Sequence, residues 1–102
     1  MSEDRLTNSA ISRRFRGIAL TVSTEIEWSI TIDDMKGGWE LAGHIRIGDS
    51  FDALESVQPI YLDEFVSIEQ CVVDAAIRAK NDLRGQLTRI KASIESILAE
   101  LG

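Results

Sequence analysis

His44 is the single histidine of the chain. An imidazole oriented by a carboxylate is the commonest general acid–base device in enzymes. The strand register derived below sets Glu27 opposite it. No nucleophile has a place beside this pair, so it reads as a cross-strand contact on an open sheet face. Two carboxylate doublets, Asp33-Asp34 and Asp63-Glu64, invite a cation. A hard cation needs several oxygens converging on one point, and the chain has neither EF-hand spacing nor a Cys/His set for zinc. Aspartate within Asp33-Asp34-Met35-Lys36-Gly37-Gly38 is ordinary turn chemistry. Gly37-Gly38 lacks the lysine and the following helix of a phosphate loop. Cys71 is expected near a helix N-terminus, where a thiol is readily activated, but its apolar neighbours mark it as a buried structural cysteine. Trp28 and Trp39 have the ring area to stack on a base, yet they share the apolar face of the expected sheet and belong to the core. No catalytic residue, cofactor site or metal site is expected, and the chain reads as a non-enzyme.

Charge is the stronger signal. The formal net charge is −6. Residues 17–66 hold ten acidic side chains against two basic ones, Lys36 and Arg46, whereas residues 67–102 hold five of each. The acidic segment is also the one that reads as β-sheet. Glu25, Glu27, Asp33, Asp34 and Glu40 are therefore the candidate partner-binding residues. Phosphate binding needs clustered Lys and Arg, so nucleic acid is excluded as a direct ligand. A sheet bearing spaced carboxylates suits a basic protein instead, and can fill a groove built for phosphates.

A chain of 102 residues is read as one domain, 1–102. Its 44% apolar content is that of a globular protein. No apolar run approaches the ~20 residues of a membrane span, and the N-terminus lacks a signal-peptide pattern. A single cysteine permits no intrachain disulfide. A cytoplasmic protein with no membrane contact is expected.

The elements follow from periodicity. Residues 1–12 read as a frayed arm or a short helix capped by Ser2. From Ile18 to Ile32 the apolar residues fall on even positions, Ile18, Leu20, Val22, Ile26, Trp28, Ile30 and Ile32. That period of two predicts strand, with a turn near Ser23-Thr24-Glu25. The next apolar positions, Trp39, Leu41, Ile45 and Ile47, are odd. Opposed residues of an antiparallel pair share a face, so the connection needs an even count. Four residues, Asp34 to Gly37, pair Ile32 with Trp39, Ile30 with Leu41, Trp28 with Gly43 and Ile26 with Ile45. The same register sets Glu27 against His44 and Glu25 against Arg46. Residues 14–48 thus form a β-meander. Phe51 to Val57 reads as one or two helical turns ended by Pro59, and Ile60-Tyr61-Leu62 as a short edge strand.

Ser67-Ile68-Glu69-Gln70 is a capping box that opens a helix over 67–101. From Leu83 its apolar spacing is 4, 3, 4, 3, 4, a heptad seam of Leu83, Leu87, Ile90, Ile94, Ile97 and Leu101. One straight helix of this length spans about 50 Å at ~1.5 Å per residue and overhangs a small sheet. Either it breaks near Gly85 into a hairpin, or its second half packs on another chain and makes a homodimer.

The expected fold is α+β, a three- to four-stranded antiparallel meander followed by a long C-terminal helix. In size, acidity and lack of catalytic residues the chain is similar to the small acidic inhibitor proteins of phages and mobile elements, anti-CRISPR proteins among them. That likeness implies a non-enzymatic module whose acidic face blocks the basic, nucleic-acid-binding surface of a partner. The alternatives are a small-ligand, nucleotide-like binder or sequestering protein, with a pocket at the seam or beside Trp28 and Trp39, and a chaperone or assembly protein.

Overall fold

The structure is a computed structural model that describes residues 8–33, 38–48 and 53–102. The order of elements is helix α1 (Asn8–Val22), strands β1 (Glu27–Asp33), β2 (Gly38–Arg46) and β3 (Ala53–Ile60), and helix α2 (Ile68–Leu101). The strands form one antiparallel sheet in the order β1-β2-β3. Both helices pack on the face that buries Trp28, Leu41 and Ile60. The architecture is α+β, with a three-stranded meander leading into a long C-terminal helix.

The β1–β2 register is the one read from apolar parity. Ile32 pairs with Trp39, Ile30 with Leu41, Trp28 with Gly43 and Glu27 with His44. Gly43 is required by close approach. A Cβ there would lie 2.9 Å from Ile26 Cγ2, 3.0 Å from the Trp28 ring and 3.2 Å from Leu83 Cδ1. The register does not extend to the outer pairs. β1 begins at Glu27, so Ile26 and Glu25 precede the ladder, and Arg46 pairs instead with Ala53 on β3.

Residues 18–22 are helix, not strand, and the sheet begins at 27 rather than 14. The even-position run Ile18, Leu20, Val22 is overridden by a longer period. Ile11, Phe15, Ile18 and Val22 are spaced 4, 3, 4 and fall on one helical face. Phe15 and Ala19 are buried while Leu20 is exposed, the reverse of what a strand would require. The Phe15 ring meets Trp39 edge-on with centroids 5.3 Å apart, which joins α1 to the sheet. Asn8 lies in α1, and the expected Ser2 cap lies outside the described residues.

The third strand also departs from expectation. Residues 53–60 are β3, neither helical turns nor a strand starting at Ile60. Its inward positions are Leu54, Ser56, Gln58 and Ile60, and two of the four are polar. Ser56 is buried, and its hydroxyl accepts from Gln58 Nε2 at 3.0 Å. That internal bond satisfies groups which would otherwise oppose burial. Pro59 is tolerated because β3 is an edge strand, and its carbonyl accepts from Arg78 Nη2 at 2.6 Å.

Ser67 caps α2 as the sequence implies, its hydroxyl accepting from Gln70 N at 3.1 Å. The Gln70 side chain turns forward to Asp74 instead of back to the cap, with Nε2 donating to Oδ1 at 2.8 Å. Ser67→Ala should therefore lower stability by about 1 kcal/mol, read as a shift in the urea midpoint. α2 is continuous over its 34 residues and does not break near Gly85. One glycine costs a helix about 1 kcal/mol, too little to interrupt turns built from good helix formers. The consequence is an elongated molecule of 67 × 29 × 27 Å with a radius of gyration of 16.9 Å. A compact chain of this length would be near ~13 Å.

Candidate protein-binding surfaces

Among the described residues three surfaces stand outside the core. The first is the face of the sheet that no described element covers. Side chains alternate across a strand, so burial of Trp28, Leu41 and Ile60 turns Glu27, Ser29 and Thr31 of β1 outward. Glu40, Ala42, His44 and Arg46 of β2 and Glu55 and Val57 of β3 face the same way. Among the described side chains, three carboxylates there meet one arginine. Glu27 stands opposite His44 in the ladder, but the histidine turns to the other neighbour, and its Nε2 lies 2.6 Å from Glu55 Oε2. Glu55 is one of the ten acids of the charged segment but not one of the five candidates, because its segment was read as helical turns. Glu25 is exposed in the α1–β1 connection, with its backbone N–H donating to Ser23 Oγ at 3.2 Å. Glu40 is half-buried. Asp33 ends β1, and Asp34 lies outside the described residues, as do Met35, Lys36 and Gly37. The structure thus places Glu27 and Glu40 on one face, with Glu25 beside its edge.

The second surface is the far half of α2. The buried residues of this helix are Cys71, Val72, Ala75, Ala76, Ala79 and Leu83, and none lies beyond Leu83. The seam expected to dimerise is therefore divided. Leu83 is 0% exposed and belongs to the core of its own chain, which corrects its assignment to an interface. Leu87 and Ile90 are transitional. Ile94, Ile97 and Leu101 are 50%, 56% and 79% exposed, with Leu98 exposed beside them. At the root of the overhang is a shallow, wide-open hollow of about 350 Å³ lined by Leu54, Gln86, Arg89, Ile90, Ser93 and Ile94. Gln86 fixes its rim, with Nε2 donating to the Glu55 carbonyl at 3.1 Å.

The third surface was missed by sequence reasoning. The β3–α2 connection exposes Tyr61, Leu62 and Phe65, and Phe65 is 88% exposed. The Asp63 carboxylate accepts from Phe65 N at 2.8 Å, and the Arg78 guanidinium lies 5.2 Å from the Tyr61 ring centroid. These contacts hold the connection while its apolar groups face water. The signal was present as Ile60-Tyr61-Leu62 and Phe65-Val66 around two acids, but it was spent on an edge strand. Next to it is an apolar hollow of about 180 Å³ lined by Ile11, Arg14, Phe15, Trp39, Leu62 and Ile68.

Among the described residues no three His, Cys, Asp or Glu side chains converge. Cys71 is buried. Trp28 is buried in the core, with Nε1 donating to the Ser23 carbonyl at 2.9 Å. Among the described residues no helix is long and apolar enough to cross a membrane. No family model, no curated protein and no solved structure matches this chain.

Proposed function

We propose that this chain is a non-enzymatic protein-binding module that pairs with a second copy through α2 and meets a basic partner through the open face of its sheet. The observation that carries the reading is the overhang of α2, an apolar stripe with no counterpart in its own core. Contiguous exposed apolar surface on a small protein marks a place where another protein sits. The sheet face supports the second half of the reading. Glu27, Glu40 and Glu55 stand on a rigid, uncovered surface, and the net charge of −6 favours encounter with a basic protein. In its finer form the proposal is an inhibitor of the phage and mobile-element kind, anti-CRISPR proteins included. Such an inhibitor occupies a partner's nucleic-acid-binding groove with carboxylates in place of phosphates.

Reversing Glu25, Glu27 and Glu40 to Lys tests the acidic half. The three changes should leave the circular dichroism spectrum intact, because none of these side chains is in the core. Wild-type chain immobilised as bait should retain a basic, nucleic-acid-binding protein from host extract at low salt. It should release that protein as salt shortens the Debye length below about 8 Å. The reversed chain should retain none. Equal capture by both chains would reduce the acidic face to a solvated surface.

A small-ligand reading beside Trp28 and Trp39 has the apolar hollow at Trp39 in its favour. Its volume of about 180 Å³ is below the ~300–1,000 Å³ of a typical ligand pocket. That weighs against a nucleotide. A rise in melting temperature with added nucleotides would reverse the judgement.

A further inference from the structure

The proposed pairing has a direction, and the charges along α2 give it. Beyond the core, the helix is basic at its root and acidic at its tip. Arg84, Arg89 and Lys91 come first, and Glu95 and Glu100 follow. Two such helices laid parallel set root beside root and tip beside tip. Laid antiparallel, each acidic tip points toward the other's basic root, and the helix dipoles also oppose. The apolar groups have the same polarity. The root carries the hollow beside Leu54, and the tip carries Ile97, Leu98 and Leu101, all exposed. A surface that bears both a hollow and its filling, and both signs of charge in reverse order, is self-complementary. That is what a two-fold interface requires.

We propose that residues 90–101 of α2 pair antiparallel with the same segment of a second copy, the tip of each helix seated in the other's Leu54 hollow. This rests on the homodimer reading above and adds orientation and register to it. Core layers of an antiparallel pair join the two kinds of heptad position. Ile94 then faces the partner's Ile97, and Ile90 faces the partner's Leu101. The overlap is about 17 Å at ~1.5 Å per residue. One heptad deeper, the partner's Leu101 would meet Leu83, whose side chain is 0% exposed and already enclosed by its own core. The body of each protomer therefore stops the other's helix at Ile90. In this register Glu100 lies on the same flank as the partner's Arg89, about two residues away along the axis. Arg89 itself lines the hollow. Lys91 already has a partner on its own helix, Glu95, at 3.9 Å.

Disulfide trapping distinguishes the arrangements. In a Cys71→Ala background, a chain with Lys91→Cys is mixed with a tagged chain carrying Leu98→Cys. Antiparallel pairing brings these two flanking positions together, so mild oxidation should give a 91–98 disulfide heterodimer. Leu101→Cys alone should then give no cross-link, because the two tips lie about 16 Å apart along the axis. A 101–101 cross-link without the 91–98 product would overturn the orientation and leave the dimer standing. No cross-link from a chain that sediments as a dimer would place the interface elsewhere and overturn the pairing. No cross-link together with a monomeric wild type at high micromolar concentration would overturn the dimer itself. A charge exchange gives an independent reading. Glu100→Lys should weaken dimerisation roughly 5- to 10-fold through its two symmetric rim contacts. Adding Arg89→Glu should restore it. Further weakening in the double variant would refute the Arg89–Glu100 contact.

Discussion

Replacing Trp28 with alanine should cost about 3–5 kcal/mol of folding stability. The indole is buried on the helix-covered face of β1, in the space that Gly43 leaves open across the ladder. It also holds a polar tie, since Nε1 donates to the Ser23 carbonyl just past the end of α1 at 2.9 Å. Truncation leaves a cavity beside Gly43, which has no side chain to fill it, and a neighbouring core of Ile26 and Leu83 relaxes into such a space only in part. It also leaves the Ser23 carbonyl without that donor. A domain of this size has about 5–10 kcal/mol in hand, so the variant should sit near its unfolding midpoint in mild urea. The measurement is a urea titration followed by circular dichroism, with the midpoint lowered and the slope unchanged. A loss below about 1 kcal/mol would mean that the indole is not a core residue.

The Trp28–Gly43 pair was legible in the sequence, and the reason separates what can be read from what cannot. A hairpin register is a local matter of parity. β1 and β2 present near-continuous apolar alternation on one face, and the only gap, Gly43, falls opposite the largest side chain. Hydropathy and shape gave the same answer independently. α1 failed because two periods coexist over Ile18–Val22. Three apolar residues in alternation look like strand when only five residues are considered. They look like helix once Ile11 and Phe15 are joined to them. The basic residues Arg13, Arg14 and Arg16 are exposed between the apolar positions of α1 and hide the longer pattern. β3 failed for a different reason. Its inward face includes Ser56 and Gln58, which satisfy each other through a side-chain bond that no hydropathy pattern can show.

The candidate surfaces divide in the same way. Local charge density marked Glu27 and Glu40, and the ladder sets both on the uncovered face. Glu55 joins them only through β2–β3 pairing, as does the choice of His44 between its two carboxylate neighbours. Exposure of Tyr61, Leu62 and Phe65 is a tertiary fact. An apolar residue in a short connection is buried or bare according to where the flanking elements lead it. The overhang of α2 was one of two outcomes that its length allowed, and the continuity of the helix through Gly85 decides between them. A helix of about 50 Å at ~1.5 Å per residue exceeds both 29 and 27 Å, the two short dimensions of the molecule.

The heptad seam itself should separate into two classes under mutation. Leu83→Ala should cost about 2–5 kcal/mol, and the loss should be the same at every protein concentration. Leu83 is fully buried, and its Cδ1 closes the space over Gly43 from the helix side. It contributes to the fold of the single chain. Ile97 is 56% exposed within that chain, so Ile97→Ala has almost nothing to remove from the isolated fold. Its effect should appear as a lower dimer fraction in sedimentation at fixed concentration. Its thermal midpoint should converge on the wild-type value as the protein is diluted and both become monomeric. The two substitutions delete the same kind of group from neighbouring stretches of one repeat, and a uniform coiled coil would treat them alike. A concentration-independent loss at position 97 would mean that the outer seam folds back onto its own domain. A concentration-dependent loss at position 83 would mean that the interface reaches into the core. The expected split, intrinsic at Leu83 and mass-action at Ile97, places the boundary between fold and assembly at the transitional residues Leu87 and Ile90.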